Sequence, residues 1–431
     1  MIGVIGFGRS GKAVAKLIEK LGETPFVSDL THKPSEIPYP NETGKHTDKL
    51  LQMDLLVVSP GVSPNIPILL KAKEKKIPII GEIEFASRYI KGKIIAITGT
   101  NGKTTTAALT HHILKGPLKE RVLLGGNIYP GKPLSSLVEK TKEDSITVIE
   151  VSSYQLERIE KFHPWIATIT NISPDHLDRH SSLEEYLKAK LNIFKNQRKE
   201  DYSILNKDDK ILSSLKLSSK TLYFSLKGNA DIYLNGSSIK DREGGEIFKE
   251  EDLFIKGEAF IEDGMIASLI ASIIGVNKKE IRKRIKTFKG VPHRMETVVK
   301  RKDLWIINNS MCTNPIAFVK SLQSFPASCV IVGGRMKVKD INPIIFAIKN
   351  LAKFVVLIGE STPEMEKALK RAKFNNFSSA SSMKEAIEKA LNSNCEKIIL
   401  SPGASSFDWF KDFAERGNIF KKEVKRLLCI K

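Results

Sequence analysis

The chain has 431 residues, of which 41% are apolar and 27% are charged, and its formal net charge is +20. These values are typical of a globular protein with about two to four domains, because a single hydrophobic core rarely grows this large. No apolar run is long enough for a membrane-spanning helix. We therefore expect no membrane partner. The lysines are spread along the whole chain, so the charge predicts a solvated surface rather than a nucleic-acid partner, with attraction of polyanionic small substrates as the alternative.

Cysteine usage and the first residues predict the compartment. The four cysteines lie far apart and form no metal-binding or disulfide pattern, which favours a reducing environment. The chain starts directly with a predicted strand and a glycine-rich turn, so we expect no signal peptide. We therefore expect a cytoplasmic protein.

Short apolar runs alternate with amphipathic helical segments along almost the whole chain. This alternation predicts an α/β fold with parallel sheets and crossover helices. Ligands of such sheets bind beyond the carboxyl ends of the strands, so functional residues are expected in the turns that follow them. The segment from about Ser203 to Glu258 is rich in turns and predicts short antiparallel strands appended to the middle domain.

The first predicted strand leads into a glycine-rich turn with Gly6, Gly8 and Gly11, and Asp29 follows the next strand. This spacing is close to that of a dinucleotide-binding loop, and by itself it suggests an NAD-dependent dehydrogenase. However, only about ninety residues precede the next domain, which is room for one nucleotide-binding half but not for two. A tight turn without a ligand is the alternative interpretation.

The segment ITGTNGKTTT, residues 97–106, lies between a predicted strand and a predicted helix. Its glycines free the backbone N–H groups to surround anionic oxygens, and the helix that follows points its amino end at the anion. Lys103 supplies a cation for the β- and γ-phosphates of ATP, and the Thr104 hydroxyl can bind Mg²⁺. The match to the usual phosphate loop is incomplete, because Ile97 stands where the first glycine is expected.

Candidate metal ligands follow the next two predicted strands. Glu150 ends a β-branched run, where a carboxylate without a function would be badly placed. His176 could bind a metal directly, with Asp175, Asp178 and His180 around it, although a polar surface loop is the alternative. The next predicted helix carries two lysines between which spacing gives no preference, so a solvated position is the default for Lys188 and Lys190.

Six motifs taken together resemble the Mur ligases, which are ATP-dependent amino-acid-adding enzymes of peptidoglycan synthesis. In chain order they are ITGTNGKTTT, EVSSYQLE, NISPDHLDRH, KAKLNIF, VPHRMETV and SPGASSFDWFKDFAERG. The run after Glu150 is most similar to the members that add D-glutamate to UDP-N-acetylmuramoyl-L-alanine. The resemblance covers nearly the whole chain.

The resemblance implies three α/β domains and a reaction. A Rossmann-like N-terminal domain would bind the UDP part of the substrate, a central phosphate-loop ATPase with a parallel sheet would bind ATP, and a Rossmann-like C-terminal domain would bind the amino acid. Breaks near Lys93 and Gly290 predict that these domains cover residues 1–92, 93–290 and 291–431. The γ-phosphate of ATP would activate the terminal carboxylate, and the amine of D-glutamate would attack the acyl phosphate. The resemblance also implies two Mg²⁺ ions, a carbamylated Lys190 and a monomer.

The resemblance assigns roles to particular positions. The implied catalytic residues are Lys103, Glu150, His176 and Lys190, and the implied metal ligands are Thr104, Glu150, His176 and Lys190. The implied ATP contacts are Gly99, Thr100, Asn101, Gly102, Lys103, Thr104, Thr105, Arg294 and Asn309. The implied contacts of the UDP substrate are Phe7, Gly8, Arg9, Ser10, Asp29, Ser59, Pro60, Gly61 and Asn127. The implied amino-acid contacts are Thr313, Arg335, Lys337, Ser406 and Phe413.

The sequence departs from the family pattern near the ATP and amino-acid ends. Asn309 replaces an aspartate expected near the ribose, and Met311 replaces a lysine expected near the D-glutamate carboxylates. The His-Asn-x-x-Asn pattern of the family is lost, with Ala259, Phe260 and Asp263 in its place. Arg335 stands where an aspartate is usual. We expect this arginine to replace the lost lysine as a carboxylate ligand.

These departures leave alternatives open. A related ligase of the same fold would add a different amino acid or act on a folate-like acceptor, although the UDP-shaped first domain and SSYQLE argue against folate. An NAD-dependent dehydrogenase would leave the phosphate loop without a function. A catalytically weakened relative, or a basic nucleic-acid binder, is the remaining class.

Overall fold

The computed structural model describes residues 1–129, 131–173, 182–254, 257–336 and 340–430. Three β-sheets with helices against them make up this part of the chain, which confirms the predicted α/β class. The chain divides into two compact units, Met1–Phe288 and Lys289–Lys431. The first unit contains two of the sheets, and the second contains the third.

The first sheet has five strands in the order β3-β2-β1-β4-β5, all parallel. The strands are β1 (Ile2–Ile5), β2 (Phe26–Asp29), β3 (Asn41–Thr43), β4 (Leu55–Val58) and β5 (Ile79–Gly81). The helices are α1 (Arg9–Lys20), α2 (Pro67–Glu74) and α3 (Glu82–Ser87). On α1 the buried side chains Val14, Leu17 and Ile18 recur at helical spacing, so one face of this helix packs against the sheet.

The second sheet has nine strands in the order β14-β13-β12-β11-β10-β9-β6-β8-β7. The strands are β6 (Lys93–Thr98), β7 (Val122–Gly126), β8 (Ile146–Glu150), β9 (Ile166–Ile169), β10 (Tyr202–Asn206), β11 (Lys220–Ser225), β12 (Ile232–Asn235), β13 (Ser238–Asp241) and β14 (Glu246–Lys249). The helices are α4 (Lys103–Leu118), α5 (Ser153–Leu156), α6 (Leu183–Leu191), α7 (Lys210–Ser213), α8 (Glu258–Ile273) and α9 (Lys278–Thr287).

The predicted antiparallel strands between Ser203 and Glu258 are only partly confirmed. Strands β10, β11 and β12 continue the parallel part of the sheet. Only the β12–β13 and β13–β14 pairs are antiparallel. Gly236, at φ +60°, and Ser237 form the tight turn between β12 and β13. The turn-rich sequence predicts frequent reversals, but strand direction depends on how each connection returns the chain. Helix α7 returns it between β10 and β11, and a loop returns it between β11 and β12.

The third sheet has six strands in the order β15-β16-β20-β17-β18-β19, and only the β15–β16 pair is antiparallel. The strands are β15 (Glu296–Lys300), β16 (Trp305–Asn308), β17 (Ser328–Gly333), β18 (Ala352–Ile358), β19 (Phe377–Ser379) and β20 (Lys397–Leu400). The helices are α10 (Pro315–Ser324), α11 (Asn342–Leu351), α12 (Thr362–Arg371), α13 (Met383–Leu391) and α14 (Phe413–Leu427). Among the described residues, no helix is long and apolar enough to cross a membrane.

One hydrophobic core joins the first two sheets. Val14 and Ile83 from the first sheet's helices belong to the same buried cluster as Ile149 and Phe162 from the second. Buried apolar area is the main stabilising term in folding. The shared core therefore explains why these two sheets form a single compact unit.

Two buried carboxylates of α3 add polar links across this boundary. Glu84 Oε2 accepts hydrogen bonds from three consecutive backbone N–H groups, those of residues 160–162, at 2.8–2.9 Å. Glu82 Oε1 accepts the backbone N–H and the hydroxyl of Ser135 at 2.7 and 2.8 Å. Glu82 Oε2, in contrast, is buried and has no hydrogen-bond partner in the described part of the chain.

We expect Glu82→Gln to stabilise the protein at pH 8 but not at pH 5. Burial raises the pKa of Glu82, against the hydrogen bonds from Ser135. The wild-type protein therefore loses stability as the pH rises from the ordinary carboxyl pKa through the raised one. Glutamine keeps the acceptor for Ser135 and does not ionise. Calorimetry should show a melting temperature about 2–4 °C above wild type at pH 8, and an equal shift at both pH values would contradict the assignment.

Candidate functional site

The phosphate loop predicted from the sequence lies between β6 and α4, at the carboxyl edge of the second sheet. Gly102 precedes α4 and has φ +82°, a left-handed conformation that favours glycine. A Cβ atom at this position would lie 2.5 Å from Asp263 Oδ1, so a larger residue would also force the Asp263 carboxylate to move. Because α4 begins at Lys103, the unpaired N–H groups and the positive end of its dipole lie at the loop.

Glu150, the last residue of β8, connects the phosphate loop to this neighbouring strand of the sheet. Its side chain is 3% exposed, Oε2 accepts a 2.8 Å hydrogen bond from the Thr104 hydroxyl, and Oε1 lies 3.4 Å from Asn127 Nδ2. Strands β6 and β8 are neighbours with Ile97 opposite Glu150, so the sheet register places the carboxylate beside the loop. Thr105 is also buried in the first turn of α4. A hydroxyl and a carboxylate oxygen in contact are the ligand types that Mg²⁺ prefers.

The turn after β9 supports the phosphate loop from the other side. Asn171 Oδ1 accepts the backbone N–H of Asn101 at 2.9 Å, and the backbone N–H of Ser173 donates to Thr100 Oγ1 at 3.0 Å. The Lys103 ammonium donates to the carbonyl of Thr100 at 2.9 Å. These hydrogen bonds hold the phosphate loop in one conformation, with the Lys103 ammonium folded back onto the loop backbone.

The structure distinguishes the two lysines of α6. Lys188 is exposed, whereas Lys190 is 1% exposed. The Lys190 ammonium donates to the carbonyl of Gly99 at 2.7 Å and lies 4.5 Å from the centre of the Tyr186 ring. The default of a solvated lysine is therefore wrong for Lys190, because the packing of α6 turns this side chain toward the phosphate loop.

Asp263 of α8, which stands where the family pattern has an asparagine, lies directly against the loop. It is buried, it accepts a 2.6 Å hydrogen bond from the Thr106 hydroxyl, and it limits the space at Gly102. The change from an amide to a carboxylate keeps an acceptor but removes a donor. Ala259 and Phe260 lie one turn earlier in the same helix.

The glycine-rich turn after β1 is organised by Asp29 at the end of β2. Asp29 Oδ2 accepts the backbone N–H of Phe7 at 2.7 Å, and Oδ1 accepts the backbone N–H groups of Thr31 and His32 at 2.8 and 2.9 Å. Burial raises the pKa of Asp29, but these hydrogen bonds outweigh it and hold the pKa well below its usual range. The Asp29 carboxylate is therefore an ionised structural anchor of this turn.

The other residues predicted to contact UDP lie in the turns after β1 and β4. Gly8, Arg9 and Gly61 are exposed, and Ser10, Ser59 and Pro60 are half-buried. A Cβ atom on Gly11 would lie 1.8 Å from the Gly6 carbonyl, which shows how closely α1 approaches the turn. Because β1 and β4 are adjacent parallel strands, the two turns meet at the same edge of the first sheet.

In the second unit, Arg294 lies between two residues with left-handed backbones, His293 at φ +63° and Met295 at φ +48°. Such conformations cost energy for residues other than glycine and concentrate at functional sites. Asn309 Oδ1 accepts the backbone N–H of Met295 at 3.2 Å, and the carbonyl of His293 accepts the N–H of Met311 at 2.9 Å. Asn309, predicted from the resemblance as an ATP contact, thus holds the turn that carries Arg294.

The predicted amino-acid contacts lie in turns at the carboxyl edge of the third sheet. Thr313 follows β16, Arg335 follows β17 and Ser406 follows β20, and these three strands are neighbours. Phe413 begins α14. The Arg335 guanidinium forms a two-pronged ion pair with Glu360, with Nε and Nη2 at 2.9 and 2.7 Å from the carboxylate oxygens.

Arg416 of α14 is a residue that sequence reasoning missed. Its guanidinium is 1% exposed, and it donates to Ser310 Oγ, the Ser310 carbonyl and the Ala404 carbonyl at 2.9–3.1 Å. Burial lowers the pKa of Arg416 to about 10. The signal in the sequence was its spacing, since Arg416 falls in line with the buried Phe420 on α14.

Some predicted residues lie outside the described part of the chain. These are His176 with its sequence neighbours Asp175, Asp178 and His180, and Lys337. Among the residues that are described, no cluster of three or more His, Cys, Asp or Glu side chains could hold a metal.

The mostly parallel second sheet, with a phosphate loop beside Thr104 and Glu150, is typical of an α/β nucleotide-binding enzyme. The Mur ligase middle domain family matches residues 97–267, and the MurD-like N-terminal domain family of Mur ligases matches residues 1–81. The chain belongs to the Mur ligase family and is therefore an ATP-dependent ligase that forms amide bonds.

Individual relatives extend this match over the full length. The chain is 36% identical to the UDP-N-acetylmuramoylalanine–D-glutamate ligase of Thermoanaerobacter sp. (strain X514), over 98% of each chain. It is 34% identical to the ligase of the same name from Clostridioides difficile (strain 630), also over 98% of each chain.

Solved structures share the fold. The UDP-N-acetylmuramate-alanine ligase MurC from Thermotoga maritima aligns over 99% of each chain, with a TM-score of 0.62 at 20% identity. The MurF ligase from the same organism, solved in complex with ADP, aligns over 94% of this chain and 96% of its own, with a TM-score of 0.56 at 17% identity. At these identities the likeness establishes the fold alone.

Proposed function

We propose that this ligase adds D-glutamate to UDP-N-acetylmuramoyl-L-alanine through an acyl-phosphate intermediate. The observation that carries the proposal is the 2.8 Å contact between Thr104 and Glu150 beside Lys103. It brings a cation for phosphate and two oxygen ligands of the type that binds metals to one end of the phosphate loop. Full-length relatives at 34–36% identity carry the name of the D-glutamate ligase, which supports this substrate pair.

In the proposed first step, the chain positions ATP and neutralises its charge. The backbone N–H groups of residues 99–105 would hold the phosphates, and Lys103 would exchange its contact with the Thr100 carbonyl for the transferring phosphoryl group. Thr104 and Glu150 fit Mg²⁺, since both offer oxygen ligands and already lie in contact. The ion, when bound there, would offset negative charge on the phosphates. We assign a second Mg²⁺ to His176 and Lys190 on the resemblance.

We also propose that Lys190 is carbamylated. A carbamate keeps one N–H on Nζ, so the 2.7 Å hydrogen bond to the Gly99 carbonyl survives the modification. The modified side chain would offer carboxylate-type oxygens beside the phosphate loop, which is the ligand type that Mg²⁺ prefers. Activity that does not fall in carbon-dioxide-free buffer, or is not restored by bicarbonate, would refute this assignment.

The UDP end of the substrate is assigned to the turns after β1 and β4, with Asn127 contacting the sugar-peptide part. We propose that residues 1–92 act as the UDP-binding domain, residues 93–290 as the ATPase and residues 291–431 as the amino-acid domain. Arg294 would contact ATP phosphates, held by Asn309. We further propose a cytoplasmic monomer without nucleic-acid or membrane partners.

For the amino-acid end we propose Thr313, Arg335, Lys337, Ser406 and Phe413 as contacts. Arg335 lies at the correct edge of the third sheet, but its fork is already paired with Glu360. A substrate carboxylate would therefore compete with Glu360 for the Nε–Nη2 edge of the guanidinium.

This competition makes a prediction for Glu360→Gln. Removing the competing charge should lower the KM for D-glutamate about three-fold to ten-fold, whereas Arg335→Ala should raise it about ten-fold or more, as expected for hydrogen bonds to charged groups. Steady-state kinetics would measure both, with Glu388→Gln, a surface partner of Lys384, as the control. An unchanged KM in Arg335→Ala would leave the Arg335–Glu360 pair as purely structural.

The decisive experiment for the function is phosphate release from ATP with UDP-N-acetylmuramoyl-L-alanine across a panel of amino acids. Release that depends on D-glutamate supports the proposal. Release with another amino acid selects a related ligase, an outcome that Met311 and the occupied Arg335 make worth testing. ATP binding without release under any condition indicates a weakened relative.

A further inference from the structure

Two arginines form reciprocal bridges between the first and second sheets at the turns assigned to the substrate. Arg9 in the glycine-rich turn after β1 reaches across to the turn after β7, where Nη2 donates to the carbonyls of Ile128 and Gly131 at 3.0 and 2.5 Å. Ile128 directly follows Asn127, whose side-chain amide lies 3.4 Å from Glu150. Arg9 thus links the first glycine-rich turn to the strand end that supports the phosphate loop.

Arg158 makes the return connection from the second sheet to the first. Its Nη2 donates to the Val62 carbonyl at 3.1 Å, and its Nη1 lies 3.5 Å from the Ser59 carbonyl. Both carbonyls belong to the turn after β4. The backbone carbonyl of Arg158 also accepts the N–H of Gly81 at 3.0 Å, so main chain and side chain both cross the boundary.

Local structure fixes the place of Arg158. Ser152 and Gln155 form a capping box at the start of α5, in which the Ser152 N–H donates to Gln155 Oε1 at 3.0 Å and the Gln155 N–H donates to Ser152 Oγ at 3.4 Å. Arg158 follows two residues after the end of α5. The SSYQLE motif therefore begins just after Glu150 and ends just before the arginine that holds the turn after β4.

We infer that Arg158 is a positioning residue for the UDP-bearing substrate, an inference that rests on the proposed function of the turn after β4. The bridge sets the position of residues 59–62 relative to the phosphate loop. A substrate bound at both the turn after β4 and the phosphate loop needs the same distance between them in the ground state and in the transition state. Losing the bridge should therefore weaken substrate binding more than it slows the chemical step.

The test compares Arg158→Ala and Arg158→Lys with wild type. We expect Arg158→Ala to raise the KM for UDP-N-acetylmuramoyl-L-alanine about five-fold to ten-fold, with kcat and the KM for ATP within about two-fold. Arg158→Lys keeps a charged donor and should recover part of the loss. Calorimetric titration with the same UDP compound should show a matching rise in Kd without reference to catalysis.

Arg88→Ala is the matched control. Arg88 also crosses the boundary between the two sheets, with Nε 2.9 Å from Glu84 and Nη2 3.2 Å from Glu160, but it touches no turn assigned to substrate. It should lower the melting temperature as much as Arg158→Ala while leaving the KM for the UDP substrate unchanged.

The outcomes separate this inference from the proposed function. If wild type binds the UDP compound but releases no phosphate with any amino acid, the proposed function fails, and the change in Kd still decides the role of Arg158. If Arg158→Ala changes neither KM nor Kd, or if Arg88→Ala changes them equally, the inference is overturned. Absence of UDP-compound binding by wild type also overturns it.

Discussion

Lys103→Ala should lower kcat for ATP-dependent ligation by about a hundred-fold to a thousand-fold, the loss typical of removing one preorganised electrostatic group. Lys103 begins α4 and its ammonium lies within the phosphate loop, 2.9 Å from the Thr100 carbonyl. There it can reach a phosphoryl oxygen whose charge changes during transfer. Phosphate release under saturating substrates measures the effect.

The control for this variant is Lys115→Ala, which removes an exposed lysine from the last turn of the same helix. It should keep wild-type kcat, since it changes the charge of α4 without changing the loop. Melting curves of both variants separate loss of chemistry from loss of fold. A Lys103→Ala enzyme with full turnover would show that the loop does not act on ATP.

Arg416→Ala should destabilise the second unit by about 3 kcal/mol or more, on the scale of leaving buried acceptors without donors. The guanidinium satisfies two buried carbonyls, those of Ser310 and Ala404. Its own burial is unfavourable, as the lowered pKa of Arg416 shows, but removing it leaves a cavity as well as unpaired acceptors. Urea unfolding followed by circular dichroism measures the change.

Arg426→Ala is the comparison for that experiment. Arg426 lies on the same helix, is half-exposed and pairs with Glu423, so its loss should change the free energy of unfolding by less than about 1 kcal/mol. If the two variants were equally stable, the buried hydrogen bonds of Arg416 would contribute nothing net to the fold.

Local sequence signals were sufficient where a short segment determines its own structure. The turn between β6 and α4, the helix that begins at Lys103 and the strand that ends at Glu150 are all confirmed. These features are close together in the sequence, with a strand before Gly102 and a helix after it. They can therefore be predicted without knowing any contact between distant segments. The same holds for the strands before the glycine-rich turns of the first sheet.

Helix periodicity could not show which of Lys188 and Lys190 is buried, because the sequence of α6 does not reveal which element this helix packs against. The structure places Lys190 on Gly99, more than ninety residues away. The Arg335–Glu360 pair was also invisible, since two exposed charges twenty-five residues apart carry no pattern. This pair means that a substrate carboxylate would have to compete with Glu360 for the Nε–Nη2 edge of Arg335.

By itself, the sequence determined the α/β class, the phosphate-loop pattern and the resemblance to the Mur ligases. Each is the sum of short segments whose pattern is local, and no contact between distant segments is needed to recognise them. Only the tertiary structure decided that Lys190 and Arg416 are buried, that β10–β12 run parallel and that Arg158 holds the turn after β4. These features arise from contacts between segments far apart in the chain. The free energy of these contacts depends on which surfaces bury each other from water. The spacing of residues within one segment does not specify those surfaces.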